Sequence, residues 1–276
     1  MAAASKAQLP PEAPDFTAFG HLSRARLERM VAAGAEVLEC YRVLSKSGDN
    51  PIRELLRGQG RFVEWRHYPK DDVYDHETGA QYYYHAHPIA ERGGEHGHVH
   101  TFLRPHGMPA RCKPAPLPDY KPSSDPNEAL AHLIAVSVDR RGIPVMLFTT
   151  NRWVTGETWY GARDVIAMLD RFEVDLARPS WPANRWITAL LRLFRPQIES
   201  LVRGRDVSIK AWTRANPGKN AYEARALEVM TRATVSIDAQ MENVRRALAR
   251  RTSRVGVRRP AKRRRARLTS RSSSTR

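Results

Sequence analysis

Two short segments in which every second residue is histidine, His85-Ala-His87 and His96-Gly-His98-Val-His100, limit the architecture of this 276-residue chain more than any other stretch. On a β-strand alternate side chains point to opposite faces, so each set of histidines projects from a single face. Eight residues separate His87 from His96, which suits a hairpin. If His87 opposes His96, partner numbers sum to 183, so that His85 falls opposite His98 and Tyr83 opposite His100. Directly opposed Cβ atoms lie ~4.5–5.5 Å apart, close enough for imidazoles to converge. A register shifted by one residue would put the two sets on opposite faces.

Five imidazoles on one face predict a metal site, with His85, His87, His96, His98 and His100 as the ligands. Cys40 and Cys112 are the only cysteines and stand far apart, so any ion must be held by nitrogen and oxygen. That donor chemistry suits a divalent transition metal such as zinc, iron or copper. With one coordination position open, the ion would act on water, oxygen or a small molecule, as in a metal-dependent hydrolase or an oxygen-using enzyme. Glu95 and His106 are the expected supporting partners. The competing structural reading has the histidines stacking on Tyr82, Tyr83 and Tyr84 and bonding to backbone in a polar sheet.

The rest of the chain predicts what surrounds this hairpin. Ser23 caps a helix running to about Lys46, and Asn50-Pro51 opens a shorter one. Alternation predicts strands over 62–68, 80–87, 96–104, 133–139 and 143–151, the last two joined through Arg140-Arg141-Gly142. Seven prolines in the 22 residues from Pro105 to Pro126 exclude a sheet interior and predict a crossing loop, followed by a helical turn begun by Asp125-Pro126. Apolar residues at helical spacing from Val165 to Leu201 predict helices split near Pro196. Leu227, Met230, Thr234, Ile237, Met241, Val244 and Leu248 form a heptad-like seam, expected as a helix over 227–248 that would also suit a homodimer. The fold class is therefore α+β, a single domain over 21–248 with a central antiparallel sheet (about 61–160) packed by N- and C-terminal helices (the latter about 162–248). Residues 1–20 are expected to be a disordered leader and 249–276 a disordered Arg/Ser-rich tail.

The net charge of +17 comes mostly from that tail. Fourteen of the 46 basic residues lie from Arg245 onward, where there is no acid, leaving 32 against 29 elsewhere, about +3. Partners are thus an unidentified small molecule at the histidines and, through the tail, nucleic acid or another polyanion held by phosphate neutralisation. No run approaches the ~18 apolar residues that span a bilayer, and the expected location is cytoplasmic.

His96-Gly97-His98-Val99-His100-Thr101-Phe102 resembles the histidine-triad pattern, with Gly97 and Thr101 in its apolar slots. The resemblance implies an alternative function, a metal-free nucleotide hydrolase or transferase whose histidine attacks phosphate. The wider set YYYHAH, EHGHVHTFLRP, VDRRG and FTTNRWVTGETW resembles an uncharacterised bacterial family of unknown function over roughly residues 60–205. That resemblance implies one domain with the β region at its heart and carries over no catalytic residue. It draws attention to Arg152 and Glu157 as polar groups beside the histidine face.

Overall fold

The computed structural model describes residues 19–92, 94–117 and 121–256. Six strands, β1 (Tyr68–Tyr74), β2 (Ala80–His85), β3 (Gly97–Leu103), β4 (Ala131–Val138), β5 (Pro144–Thr150) and β6 (Val229–Thr234), lie side by side in chain order, every neighbour antiparallel. Among the described residues the helices are α1 (Arg24–Ser45), α2 (Pro51–Leu56), α3 (Ile89–Arg92), α4 (Arg152–Thr155), α5 (Ala162–Met168), α6 (Trp181–Leu193), α7 (Arg195–Ala215) and α8 (Ile237–Gly256). The architecture is α+β in a single domain, as the sequence implies.

One face of the sheet carries the core. Tyr82, Tyr84, Val99, Ile134, Val136 and Leu147 are buried with Trp186, Leu190 and Ile198 of α6 and α7. Burying such a side chain stabilises by about 1.5–3 kcal/mol, and the polar tips among them are satisfied. Tyr82 Oη donates to Asn184 Oδ1 at 2.6 Å, and Trp186 Nε1 donates to Tyr41 Oη at 2.8 Å. Helix α1 begins where Ser23 accepts from the Arg26 amide, and α2 where Asn50 accepts from the Ile52 and Arg53 amides ahead of Pro51. Helix α6 stops at Leu193 and α7 restarts at Arg195, with Pro196 in its first turn, where a missing N–H costs nothing. The opposite face of the sheet carries the histidines.

Three expected elements come out differently. Residues 61–67 are not a strand but a strap across the ends of β2 and β3. Tyr68 Oη is 2.6 Å from the Val63 amide and 3.2 Å from its carbonyl, which folds the strap back, and Trp65 adopts φ 67°, which breaks the extended alternation. The expected 227–248 helix is interrupted: Val229–Thr234 is strand β6, and α8 begins only at Ile237. Valine and threonine suit a pleated surface, and the strand completes the β5 edge, where Thr149 and Thr231 hydroxyls meet at 2.6 Å. Leu227 and Met230 meanwhile join Trp159, Ile209 and Ala221 in a satellite cluster, so the seam is not one helical face. The helix α8 continues to Gly256, beyond the start expected for the tail, while Phe19, inside the expected leader, is buried against Leu22, Leu27, Met30 and Val244. The rest of the leader, 1–18, and of the tail, 257–276, lies outside the described residues.

Candidate metal centre

Strands β2 and β3 pair with Tyr83 opposite His100, Tyr84 opposite Val99 and His85 opposite His98, the register in which partner numbers sum to 183. His85, His98 and His100 therefore share a face. Ring centroids are 4.5 Å apart for His85–His98, 5.2 Å for His85–His100 and 4.9 Å for His98–His100. One nitrogen from each ring lies within 4.8 Å of the others, a grouping of three imidazoles able to hold an ion. His98 and His100 are 4% and 1% exposed, whereas His85 is half-buried, so the centre opens on the His85 side.

The other two expected ligands diverge because the ladder ends at His85 and His98. His96 keeps its backbone on β4, its amide donating to Val138 O at 2.7 Å, but its ring turns to the helix-facing side. There its Nδ1 is 2.6 Å from Tyr84 Oη and the ring stacks on Phe62 at 5.9 Å. His87 stays near, its ring 5.3 Å from His85 and 5.1 Å from His98, outside the group of three. Its ring lies tilted against Trp65 with centroids 4.1 Å apart, and its Nδ1 faces Glu91 at 3.8 Å.

Each deeper member of the triad is backed by a partner. His98 Nδ1 lies 3.2 Å from Glu95 Oε1. His100 Nδ1 lies 3.0 Å from His132 Nε2, whose own Nδ1 is 3.3 Å from Thr150 Oγ1. The carboxylate contact assigns the tautomer of His98. The carboxylate can only accept, so His98 carries its proton on Nδ1. A relay in which His100 donates to His132, and His132 to Thr150, leaves Nε2 of both His98 and His100 with a lone pair toward the centre.

Charge follows the same pattern. Burial pushes His85 down to about 2, with the neighbouring His98, His87 and His67 adding to the effect. Burial also carries His100 well below its ordinary value, helped by His98 and His132. The His85 and His100 rings are thus neutral near pH 7, the form that ligates metal. Burial alone would raise Glu95, but the hydrogen bond and charge of His98 outweigh it and hold the carboxyl below its usual range.

His132 is the member that the alternation of the sequence conceals. Up to Thr101 the β3–β4 pairs run His98–Ser137, His100–Ala135 and Thr101–Ile134, which puts odd-numbered residues of β4 on the histidine face. A bulge then sets Phe102 opposite His132, leaving Leu133 unpaired and switching His132 onto that face. Glu157 supports it: its Oε2 accepts the His132 amide at 2.8 Å. Burial raises this carboxyl to about 7, against the pull of Arg205. Arg152 instead pairs with Glu223 at 2.6 Å. His106 lies away from the centre, its Nδ1 2.7 Å from Asn127 Oδ1. His67, outside the expected set, stacks on Tyr83 at 3.5 Å and sits 5.9 Å from His85.

The closest pair of donors fits an ion with modest adjustment. His85 Nε2 and His98 Nε2 are 2.7 Å apart, within N–H···N hydrogen-bond distance. Tetrahedral coordination with Zn–N bonds of ~2.0–2.1 Å needs ligand nitrogens about 3.3 Å apart. The two rings would part by about 0.6 Å, within ordinary side-chain rotation.

The family model for a domain of unknown function, DUF6969, matches residues 31–235, which takes in all six strands. The chain belongs to this family. The DUF6969 match agrees with the family of unknown function inferred from YYYHAH, EHGHVHTF and TTNRWVTGETW, all of which it spans. Searches against curated proteins and against solved structures returned no match. Among the described residues of this DUF6969 chain, no helix is long and apolar enough to cross a membrane.

Proposed function

We propose that the protein binds one divalent transition metal through Nε2 of His85, His98 and His100 and uses the ion's remaining position on water, oxygen or a small oxygen-bearing molecule. The observation that carries this reading is the grouping of three imidazoles within reach of one ion, two of them backed by Glu95 and by His132. A structural zinc site closes all four positions with protein ligands, whereas three histidines with one open side match the donor set of catalytic sites. The ion would supply Lewis acidity; the protein supplies imidazole ligands, fixed ring orientation and a site shielded on all but the His85 side. Zinc would favour hydrolysis and iron or copper the use of oxygen.

The deciding experiment is elemental analysis of untagged, purified full chain beside a His98→Ala, His100→Ala double variant. We expect close to one zinc, iron or copper per chain in the wild type and none in the variant. A wild type that carries no metal, and takes up none on incubation with each of the three, rejects the proposal. A phosphate-transferring histidine-triad activity would instead survive chelation and require no metal. Binding to nucleic acid that is lost on removing 257–276 and weakens with salt would favour the tail as the functional element.

A further inference from the structure

Among the described residues, two that are not glycine hold a left-handed backbone, Trp65 at φ 67° and Asp72 at φ 57°, and both stand at the rim of the histidine centre. Asp72 has an evident local task. Its Oδ1 lies 3.0 Å from His67 Nδ1 and its Oδ2 accepts from Gln81 Nε2 at 2.7 Å, which keeps His67 stacked on Tyr83. Aspartate also tolerates this conformation. Trp65 does not: for a bulky side chain φ near +60° is a true outlier, and strain of this kind persists where a site needs it. Packing does not account for it, because Trp65 is 56% exposed.

What the strained backbone achieves is placement. The Trp65 amide is tied to Ala86 O at 2.9 Å, and the indole is held 4.1 Å from the His87 ring and 6.5 Å, edge-on, from His85. His85 is the half-buried member of the triad, so its side is where a ligand reaches the ion. That approach is rimmed by rings: Trp65, His87 and His67 all lie within 6.5 Å of His85.

We propose, resting on the metal reading above, that Trp65 is a recognition platform for a planar aromatic ligand whose adjacent oxygen donors reach the ion while its ring lies along the indole. Indole recognises either flat π faces or cations. A cationic group would sit beside a divalent ion and be repelled by it, whereas a neutral or anionic aromatic chelator, such as an ortho-dihydroxy ring, satisfies both the ion and the indole.

The test uses full-length zinc-loaded wild type, Trp65→Ala and Trp65→Phe, with two probes that chelate through oxygen. One, 4-nitrocatechol, has an aromatic ring and a visible spectrum that changes on coordination; the other, acetohydroxamate, has no ring and is measured by competition. We expect W65A to bind 4-nitrocatechol about 3- to 10-fold more weakly, acetohydroxamate to be unaffected, and W65F to recover most of the loss. Equal weakening of both probes, or of neither, with zinc still bound at one per chain, overturns the platform and leaves the metal centre standing. A wild type that binds no zinc overturns both. Trp65→Gly tests the strain separately: it should unfold at a higher temperature than W65A, because glycine adopts positive φ freely. A W65G no more stable than W65A would show that the backbone is not strained there.

Discussion

Replacing Gly97 with alanine should damage both the stability of the protein and its metal site, although no ligand is touched. Gly97 opens β3, one residue before His98, with its open side turned to the helix-facing surface of the sheet. A Cβ built there would stand 2.5 Å from the backbone oxygen of His85 and 2.6 Å from Tyr84 Cζ, with Tyr84 Oη closer still. Ordinary contact begins at ~3.5 Å, so the shortfall is about 1 Å. The Tyr84 ring is enclosed, being fully buried, and the His85 carbonyl belongs to the β2 backbone, so neither yields without moving a strand. Overpacking of this kind costs about 1–3 kcal/mol, and losing the Tyr84–His96 hydrogen bond adds about 0.5–1.5 kcal/mol. A total of about 2–4 kcal/mol with a urea slope of ~3 kcal/mol/M lowers the unfolding midpoint by about 1 M, read by far-ultraviolet circular dichroism. Zinc uptake should fall with it, because β2 and β3 part where His85 and His98 must meet. Combining Gly97→Ala with Tyr84→Phe should recover part of the loss, since one clashing atom is gone. A G97A protein with the wild-type midpoint and full zinc uptake would refute the close-packing argument.

Three further outcomes follow from the site and its surroundings. His132→Ala and Glu95→Gln should each weaken metal affinity about 10–100-fold while leaving the fold intact, measured by competition with a chromophoric chelator; unchanged affinity in both would mean the backing partners do not orient the ligands. Arg205 is 1% exposed, stacks on Trp159 at 3.9 Å and donates to Tyr160 O, so Arg205→Ala should cost about 3–5 kcal/mol in urea unfolding, far more than any surface arginine. For pH, the folded-state values of His85, His100 and His132 are depressed, the first to about 2 and the last to about 3, so the unfolded chain binds more protons below ~6.5 and stability falls as pH drops. Glu157, raised to about 7, works in the opposite direction, its contribution growing as pH falls from 7 toward its unfolded value. Three histidines against one carboxyl leave a net loss of about 2–3 kcal/mol per unit between pH 6 and 5 for the metal-free protein, and denaturant midpoints that stay flat or rise over that range would contradict the assignment.

The β2–β3 register was legible because alternation and connection length act on the same residues: once histidines are confined to one face, few pairings remain. What alternation cannot say is where a ladder stops. His87 and His96 share the alternation of their neighbours, yet both lie just past the last paired residues, where the pleat no longer dictates direction. His132 was illegible for the opposite reason, since a single unpaired Leu133 reverses the parity of β4 and nothing local in AHLIAVSV marks it. The strap misled because RFVEWRHY alternates well; only the Tyr68 hydroxyl, acting back on Val63, turns it aside. In β6 and α8 a run of three- and four-residue steps arises by joining a strand to a helix, each of which buries its own residues for its own reasons.

The triad straddles a boundary in mechanical strength. His98 and His100 are flanked by paired neighbours on β4, whereas His85 ends β2 in the last pair of the β2–β3 ladder. Local opening begins where pairing thins out, so the half-buried His85 end of β2 opens long before the sheet comes apart. An ion held by all three would therefore load and leave by the outward swing of His85, with His98 and His100 as the fixed posts. Its exchange rate would then follow hydrogen exchange at the β2–β3 end and be indifferent to the global unfolding rate.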